Sequence, residues 1–520
     1  VKNLTETQSA VPMSVPKSIR PDEIRGVTSG FAGKVIPTAY IPVLREERVA
    51  TSRVSINIDM TETVERLLNP ISVTCRAVFV PHLAFDRFEG SLDRLNRSYK
   101  GEPDKDGGDV IPYFTGHAFD KDAEIYRTMG FHAKQGATVN AAIVESYNAY
   151  MNWRFRNISN KITERTLLDT TLAPSEWSHS SFRNIVADFD QAAIDGEVDL
   201  QIDAGRMYAR TDQDGTVASA GINRLAGQDR LFFNTTEEAT AIFTELADTG
   251  VALSLSNIEM AKKTAAYATF RKKYKDLDDD FVIDLLMEGI RVPDAQLATP
   301  IVLDKQTTMI GYSQRFATDG SNLAKSVTTG LTRLNMTVRT PAMNTGGIIL
   351  FLVEIVPEQL FERQKDYFFH STDVADLPNS TRDYLDPEKV AIVQNDHLDV
   401  EHTLPDTTFG YAPLNFQWKR SIPKIGGKYH RQVGDAFDEN RQKIWAVETI
   451  DPALTSDFYL TNSLHHNVFA DTTAEPFEIT TLGAASIVGN IVYGKMLEEN
   501  NGDYAAIAAQ ADDTRIDQTV

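Results

Sequence analysis

Apolar and polar residues alternate most cleanly from Ile71 to Val80. Ile71, Val73, Cys75, Ala77 and Phe79 face one way, and Ser72, Thr74 and Arg76 the other. That two-residue period predicts a half-buried strand. Asn69-Pro70 introduces it, and Pro81 ends it by withdrawing a backbone donor. A second alternation over Arg53–Met60 sets Val54, Ile56, Ile58 and Met60 against Ser55, Asn57 and Asp59. Ala39–Leu44, Met309–Phe316, Thr332–Arg339 and Gly347–Val356 are further expected strands, with weaker signals at Ile444–Thr449 and Phe477–Leu482. GGIILFLVEIVP is almost continuously apolar, which predicts a strand covered on both faces.

Helical spacing takes over at Val139–Asn157, where Val139, Ile143, Tyr147, Tyr150 and Met151 recur on one face. Arg154 and Arg156 suit the C-terminal end of its dipole. Thr61–Leu68 predicts one or two helical turns. Thr235 with Glu238 forms a capping box for a helix ending at Gly250. Ser256 and Glu259 cap a longer basic helix, Ser256–Lys275, and Phe281–Glu288 is a short one. Residues 89–138 and 357–445 are expected to be mostly loop.

These elements divide the chain into five parts. Residues 1–40 are read as an extended polar arm that needs a neighbour to order it, or else as a plain floppy terminus. Residues 41–185 are β structure with a helical insertion. Residues 186–250 are an acidic, turn-rich inserted block. Residues 251–495 complete the β domain, and residues 496–520 are an acidic tail.

Composition narrows the class. At 520 residues and 42% hydrophobic, the chain can bury a large core and is not disordered throughout. Its formal charge of −21 is the reverse of what a free nucleic-acid binder shows. Cys75 is the only cysteine, so no intrachain disulfide is expected. No apolar run has the ~20 residues of a membrane span, and VKNLTETQSA lacks the apolar core of a secretory signal.

Motifs for enzyme chemistry are missing: there is no GxGxxG after a strand, no P-loop, no HExxH and no CxxC. The chain is therefore expected not to be an enzyme and to carry no cofactor. His465-His466 diverge if extended and are expected to pack rather than chelate. Asp278–Asp280 suit a helix start better than a cation. Two stretches could meet nucleic acid. One is the basic face of the Ser256–Lys275 helix. The other is Phe409–Arg431, which interleaves Tyr411, Phe416, Trp418 and Tyr429 with Lys419, Arg420, Lys424, Lys428 and Arg431. Aromatics beside cations are what single-strand binding uses. The plainer alternative is a loop whose aromatics pack and whose charges are solvated.

Five blocks, in order, resemble the major capsid protein of the Microviridae, small icosahedral single-stranded-DNA phages. ISVTCRAVFVPHLAFDRFEG is similar to the family's early strand, and VNAAIVESYNAYMNWRFRN to its "RAYNxIWNEWFRD" helix. SLSNIEMAKKTAAYATFRKKYKD with FVIDLLMEGIRVPDAQLATPIVL resembles its long helix, short helix and "SPDARLQRPEYL" loop. TGGIILFLVEIVPEQLFERQKDYFF resembles its late strand, and TTFGYAPLNFQWKRSIPKIGGKYHR its "VFGYQERWAEYRYKPSRITGKFR" segment. The blocks span most of residues 71–431, while 186–250 matches no part of the pattern.

The resemblance implies a mainly β, eight-stranded antiparallel jelly roll with long inserted loops and several helices. It implies a T=1 shell of sixty copies, built through pentamers, around circular single-stranded DNA. Further implied partners are a small basic DNA-binding protein, scaffolding and minor or pilot virion proteins, and a host surface receptor, with no membrane. The chain would be made in the bacterial cytoplasm and reside in the virion. In that setting 186–250 is the expected protrusion. The basic protein would neutralise the DNA that a −21 subunit repels, with Phe409–Arg431 a minor contributor. The competing reading is a secreted or cell-surface carbohydrate-binding, lectin-like jelly roll, because fold alone does not fix function.

Overall fold

The computed structural model describes residues 17–105, 108–177, 182, 185–189, 298–316, 326–340, 345–361, 363–385, 389–419, 422–430, 443–445, 451–494 and 497. It also describes Lys263 and four short strands between residues 207 and 246. The chain divides into two units, Val1–Asp188 with Pro293–Val520, and Phe189–Val292.

The first unit opens with β1 (Ser18–Gly30), β2 (Val35–Val43), β3 (Arg48–Met60), β4 (Ile71–Pro81), β5 (Gly116–Ala118) and β6 (Thr138–Asn140). The second unit contains β7 (Met207–Arg210), β8 (Ile222–Arg224), β9 (Leu231–Phe233) and β10 (Phe243–Leu246), paired as β7 with β10 and β8 with β9. The first unit resumes with β11 (Ile301–Met309), β12 (Gly311–Phe316), β13 (Ser326–Val338), β14 (Gly347–Pro357), β15 (Val390–Gln394), β16 (Thr408–Pro413) and β17 (Phe477–Gly489). Its main helices are α1 (Leu92–Lys100), α2 (Glu124–Met129) and α3 (Ala142–Ile158). The described structure is mainly β, with antiparallel sheets and few helices.

Two sheets dominate the first unit, one ordered β1-β17-β3-β13-β12 and the other β11-β4-β14-β2. One hydrophobic core draws on both, from Ile56, Ile58 and Ile479 of the first to Val73, Phe79 and Phe351 of the second. Each large apolar side chain buried there is worth ~1.5–3 kcal/mol. β14 is buried along its whole length, as its continuous apolar run predicts. It starts at Gly347 because a Cβ there would lie 2.5 Å from the Val80 carbonyl oxygen and 2.7 Å from the Phe79 ring. Only glycine lets β14 enter so close to β4.

Helix α3 follows the span that helical spacing predicts but starts three residues later, at Ala142, because Val139 and Asn140 belong to strand β6, which pairs with β5. The Asn140 side chain accepts from the Ala142 amide at 2.9 Å and starts the first turn. Tyr147, Tyr150, Met151 and Phe155 are buried. The Tyr147 hydroxyl donates to the Val35 carbonyl at 2.7 Å and accepts from the Ala173 amide at 2.9 Å, tying the helix to β2.

Several expectations differ from the structure. Much of the expected polar arm is sheet: β1 pairs with β17 along its full length, from Ser18 opposite Gly489 to Gly30 opposite Phe477. Polar Arg20, Asp22 and Glu23 and an outward Ile19 hide its alternation. Thr61–Leu68 forms no helix. Its amides bond outward instead, Thr61 to Pro476, Val64 to Val468 and Leu68 to Lys443. Residues 89–138 contain α1, capped by the Ser91 side chain on the Arg94 amide, and α2. The strand expected from Met309 is broken at Ile310, and Ile301–Met309 is itself a strand against β4. Phe243–Leu246 is strand β10, not helix, because it pairs with Met207–Arg210. Lys443–Trp445 holds no strand, and the rest of Ile444–Thr449 lies outside the described residues. So do the rest of the 235–250 window, the Asp278–Asp280 run, the Phe281–Glu288 helix and all of Ser256–Lys275 but Lys263, which is helical and exposed.

Candidate functional site

The aromatic-basic stretch grows out of β16, which pairs antiparallel with β15. Phe409 is buried, edge-on to Phe458 at 5.1 Å, so it serves the core. Tyr411 exchanges backbone bonds with Val186 at 2.8 and 2.9 Å. Asn415 then takes a left-handed turn (φ 61°), which a short amide side chain tolerates, and its Nδ2 donates to Asp383 at 2.7 Å. The turn carries the chain into a single 3-10 turn, Phe416–Lys419, with Phe416 half-buried and Trp418 and Lys419 exposed.

The remaining cations are partly engaged. Lys424 reaches Asp366 at 2.6 Å and holds that carboxyl below its usual range, helped by the Phe369 amide. Lys428 sits over the ring of its neighbour Tyr429 at 5.2 Å. Arg420 and Arg431 lie outside the described residues. The structure therefore pairs Trp418 with Lys419 on one turn, and Lys428 with Tyr429 on another. Lys424 is tied to a third segment. A cleft of about 40 Å³ beside Phe416, lined also by Ile185, Tyr367, Ile392, His397 and Ala412, is far below the ~300–1,000 Å³ of ligand pockets.

Around this stretch lies a surface that composition alone did not single out. Phe368 and Phe369 stand on a four-residue helix capped by Asp366, and Phe369 is 81% exposed. Val374, Leu377, Tyr384, Leu385 and Ile392 are exposed too, Tyr384 at 84%. These pieces are tied to one another. Arg382 donates to the carbonyls of Ala375 and Leu377 at 3.1 Å each. Lys389 donates to the Tyr384 carbonyl at 2.9 Å. Asn415 and Lys424 add the bonds to Asp383 and Asp366. The segment thus holds a defined form while presenting aromatic side chains to water. The visible signal was aromatic residues embedded in an acidic, proline-bearing loop.

Elsewhere, buried charges join separate elements of the fold. Glu354 of β14 takes both Arg154 guanidinium nitrogens, at 2.6 and 3.0 Å, and also Arg76 of β4. Arg154 reaches Glu176 at 3.0 Å as well. Burial first, and Arg154 beside it second, pull Arg76 down to about 10. The cluster fastens α3 to the second sheet and explains why Arg76, on the polar side of its strand, is covered. Burial pushes the Cys75 thiol up to about 12, which disfavours the thiolate. His466 packs against Phe31, Trp445 and Phe469, and burial lowers its pKa. Among the described residues no group of three His, Cys, Asp or Glu side chains is placed to hold a metal ion. None of their helices is long and apolar enough to cross a membrane.

Set against known proteins, the chain matches no protein-family model and no curated protein.

Proposed function

We propose that the chain is the subunit of a closed homo-oligomeric shell, a major capsid protein of the microvirus kind that encloses single-stranded DNA. The observation that carries this is the tied excursion with exposed Phe368, Phe369, Tyr384 and Leu385. A chain that fixes aromatic side chains in water by its own hydrogen bonds is prepared for a partner. Copies of the same chain are the economical partner, since oligomers of soluble proteins are mostly symmetric assemblies of one subunit.

Strand order supports a jelly roll. With β12 set aside as a hairpin partner of β13, β1 pairs with β17, β2 with β14, β3 with β13 and β4 with β11. First with last, second with second-last, and so inward, is the pairing of one long antiparallel ribbon rolled into two sheets. The five blocks that resemble the capsid family point the same way.

The test is sedimentation and electron microscopy of the full purified chain. The expected outcome is round shells or their pentameric pieces. A monomer that persists at high concentration would end the proposal.

A further inference from the structure

The outward face of the five-stranded sheet differs in charge from the rest of this acidic chain. Its exposed positions carry Arg25 on β1, Arg48 and Arg53 on β3, Arg333 on β13 and Arg315 on β12, against the carboxylates Glu23, Asp59 and Glu478. No lysine occurs on any of the five strands. Arg25 is paired with Glu23 and Arg315 with Glu62, in exposed pairs worth little. Arg48, Arg53 and Arg333 make no ion pair among the described residues. The chain as a whole is at −21, so a local excess of cations is segregation rather than average composition.

Register places these groups together. Arg53 lies opposite Thr337 on β13 and Ala484 on β17. Arg333 lies opposite Asn57, and Asn335 opposite Ser55. The Arg333 Nε donates to the Ser55 hydroxyl at 2.8 Å, which orients its guanidinium. From Arg53 to Asn57 on β3, and over the facing Arg333 to Thr337 on β13, the strip is therefore arginine with Asn, Ser and Thr, held on rigid strands, and it ends at Asp59. Beside it Val27, Leu482 and Leu331 present apolar surface. Guanidinium forks match phosphate oxygens bidentately, and amide and hydroxyl groups also serve phosphate and sugar. Flanking apolar side chains give unstacked bases a surface, which a duplex does not need.

We infer that the outward face of the β1-β17-β3-β13-β12 sheet binds single-stranded nucleic acid, with Arg53 and Arg333, four residues apart in register, on separate phosphates and Asn57 and Asn335 beside them. The inference rests on the shell reading only for the natural source of that strand. The face, rather than the Phe409–Arg431 stretch, is the principal contact, because Lys424 and Lys428 are already engaged by Asp366 and Tyr429.

The experiment is fluorescence anisotropy of a labelled oligothymidylate with the full chain, across about 50 to 200 mM salt. Wild type binds and weakens steeply with salt. R53Q/R333Q weakens binding at least about tenfold and flattens the log–log salt slope by about 1.4, or 0.7 for each phosphate lost. N57D/N335D, which leaves both arginines in place, also abolishes binding, while K424A/K428A leaves it within about twofold. Thermal melting confirms that each variant folds, and either double variant on the sheet suffices if the other does not. No binding by wild type overturns the inference, as does wild-type affinity in the sheet variants. Loss of self-association in R53Q/R333Q without loss of binding also overturns it, since the face would then be a contact between copies. Sedimentation of the same samples scores the shell reading separately: a monomer that binds the oligonucleotide keeps the face and loses the shell.

Discussion

His82 shows how a single residue couples this fold to pH. It is buried at the end of β4, with Phe85, Tyr113 and Phe114 around its ring at 5.3 to 5.6 Å. Its Nδ1 has no hydrogen-bond partner. Burial, and then Arg87, lower its pKa from 6.5 to about 4. Arg87 itself is held by Glu145 at 2.7 Å. Between those two values the unfolded chain takes up a proton that the folded chain refuses. Stability therefore falls as pH drops from 6.5 to about 4, by on the order of 3 kcal/mol from this group. His82→Phe should remove that part of the acid sensitivity. Urea midpoints of the two proteins at neutral and acid pH measure it, and equal pH dependence in both would disprove the assignment. None of this was legible in the sequence, where His82 is one polar residue after a proline. Cys75 was legible, because its place in the apolar register of a strand already implied burial.

At the scale of elements, legibility follows how much of the signal is local. β3, β4 and α3 carry their own periodicity, and β14 its own continuous apolarity. β1 carries little, since its order comes from β17, more than four hundred residues away in the chain. The Glu354 cluster is likewise non-local, joining β4, β14, α3 and Glu176. Glu354→Gln would leave Arg76 and Arg154 as buried like charges, at a cost of roughly 3–5 kcal/mol. Denaturant unfolding checks the loss. Hydrogen exchange adds that α3 amides should lose protection before those of β3. A variant as stable as wild type would mean that solvent reaches the cluster.

For the whole molecule the decisive quantity is surface left uncovered by its own chain. Phe369→Asp with Tyr384→Asp should leave the stability of the chain within about 0.5 kcal/mol, since both side chains are solvated. The same variant should fail to sediment beyond small species if the excursion is an interface. Unchanged assembly would move the interface elsewhere.

Taken alone, the sequence determined that the chain is rich in strands, carries helical spacing over 139–157 and lacks motifs for familiar catalysis. It could do so because alternation and helical spacing are local consequences of backbone geometry. Tertiary structure decided which strands neighbour one another, that residues 18–30 belong to a sheet, and that arginines from separate strands share one face. Those outcomes depend on pairing between segments hundreds of residues apart, and no local period records the partner.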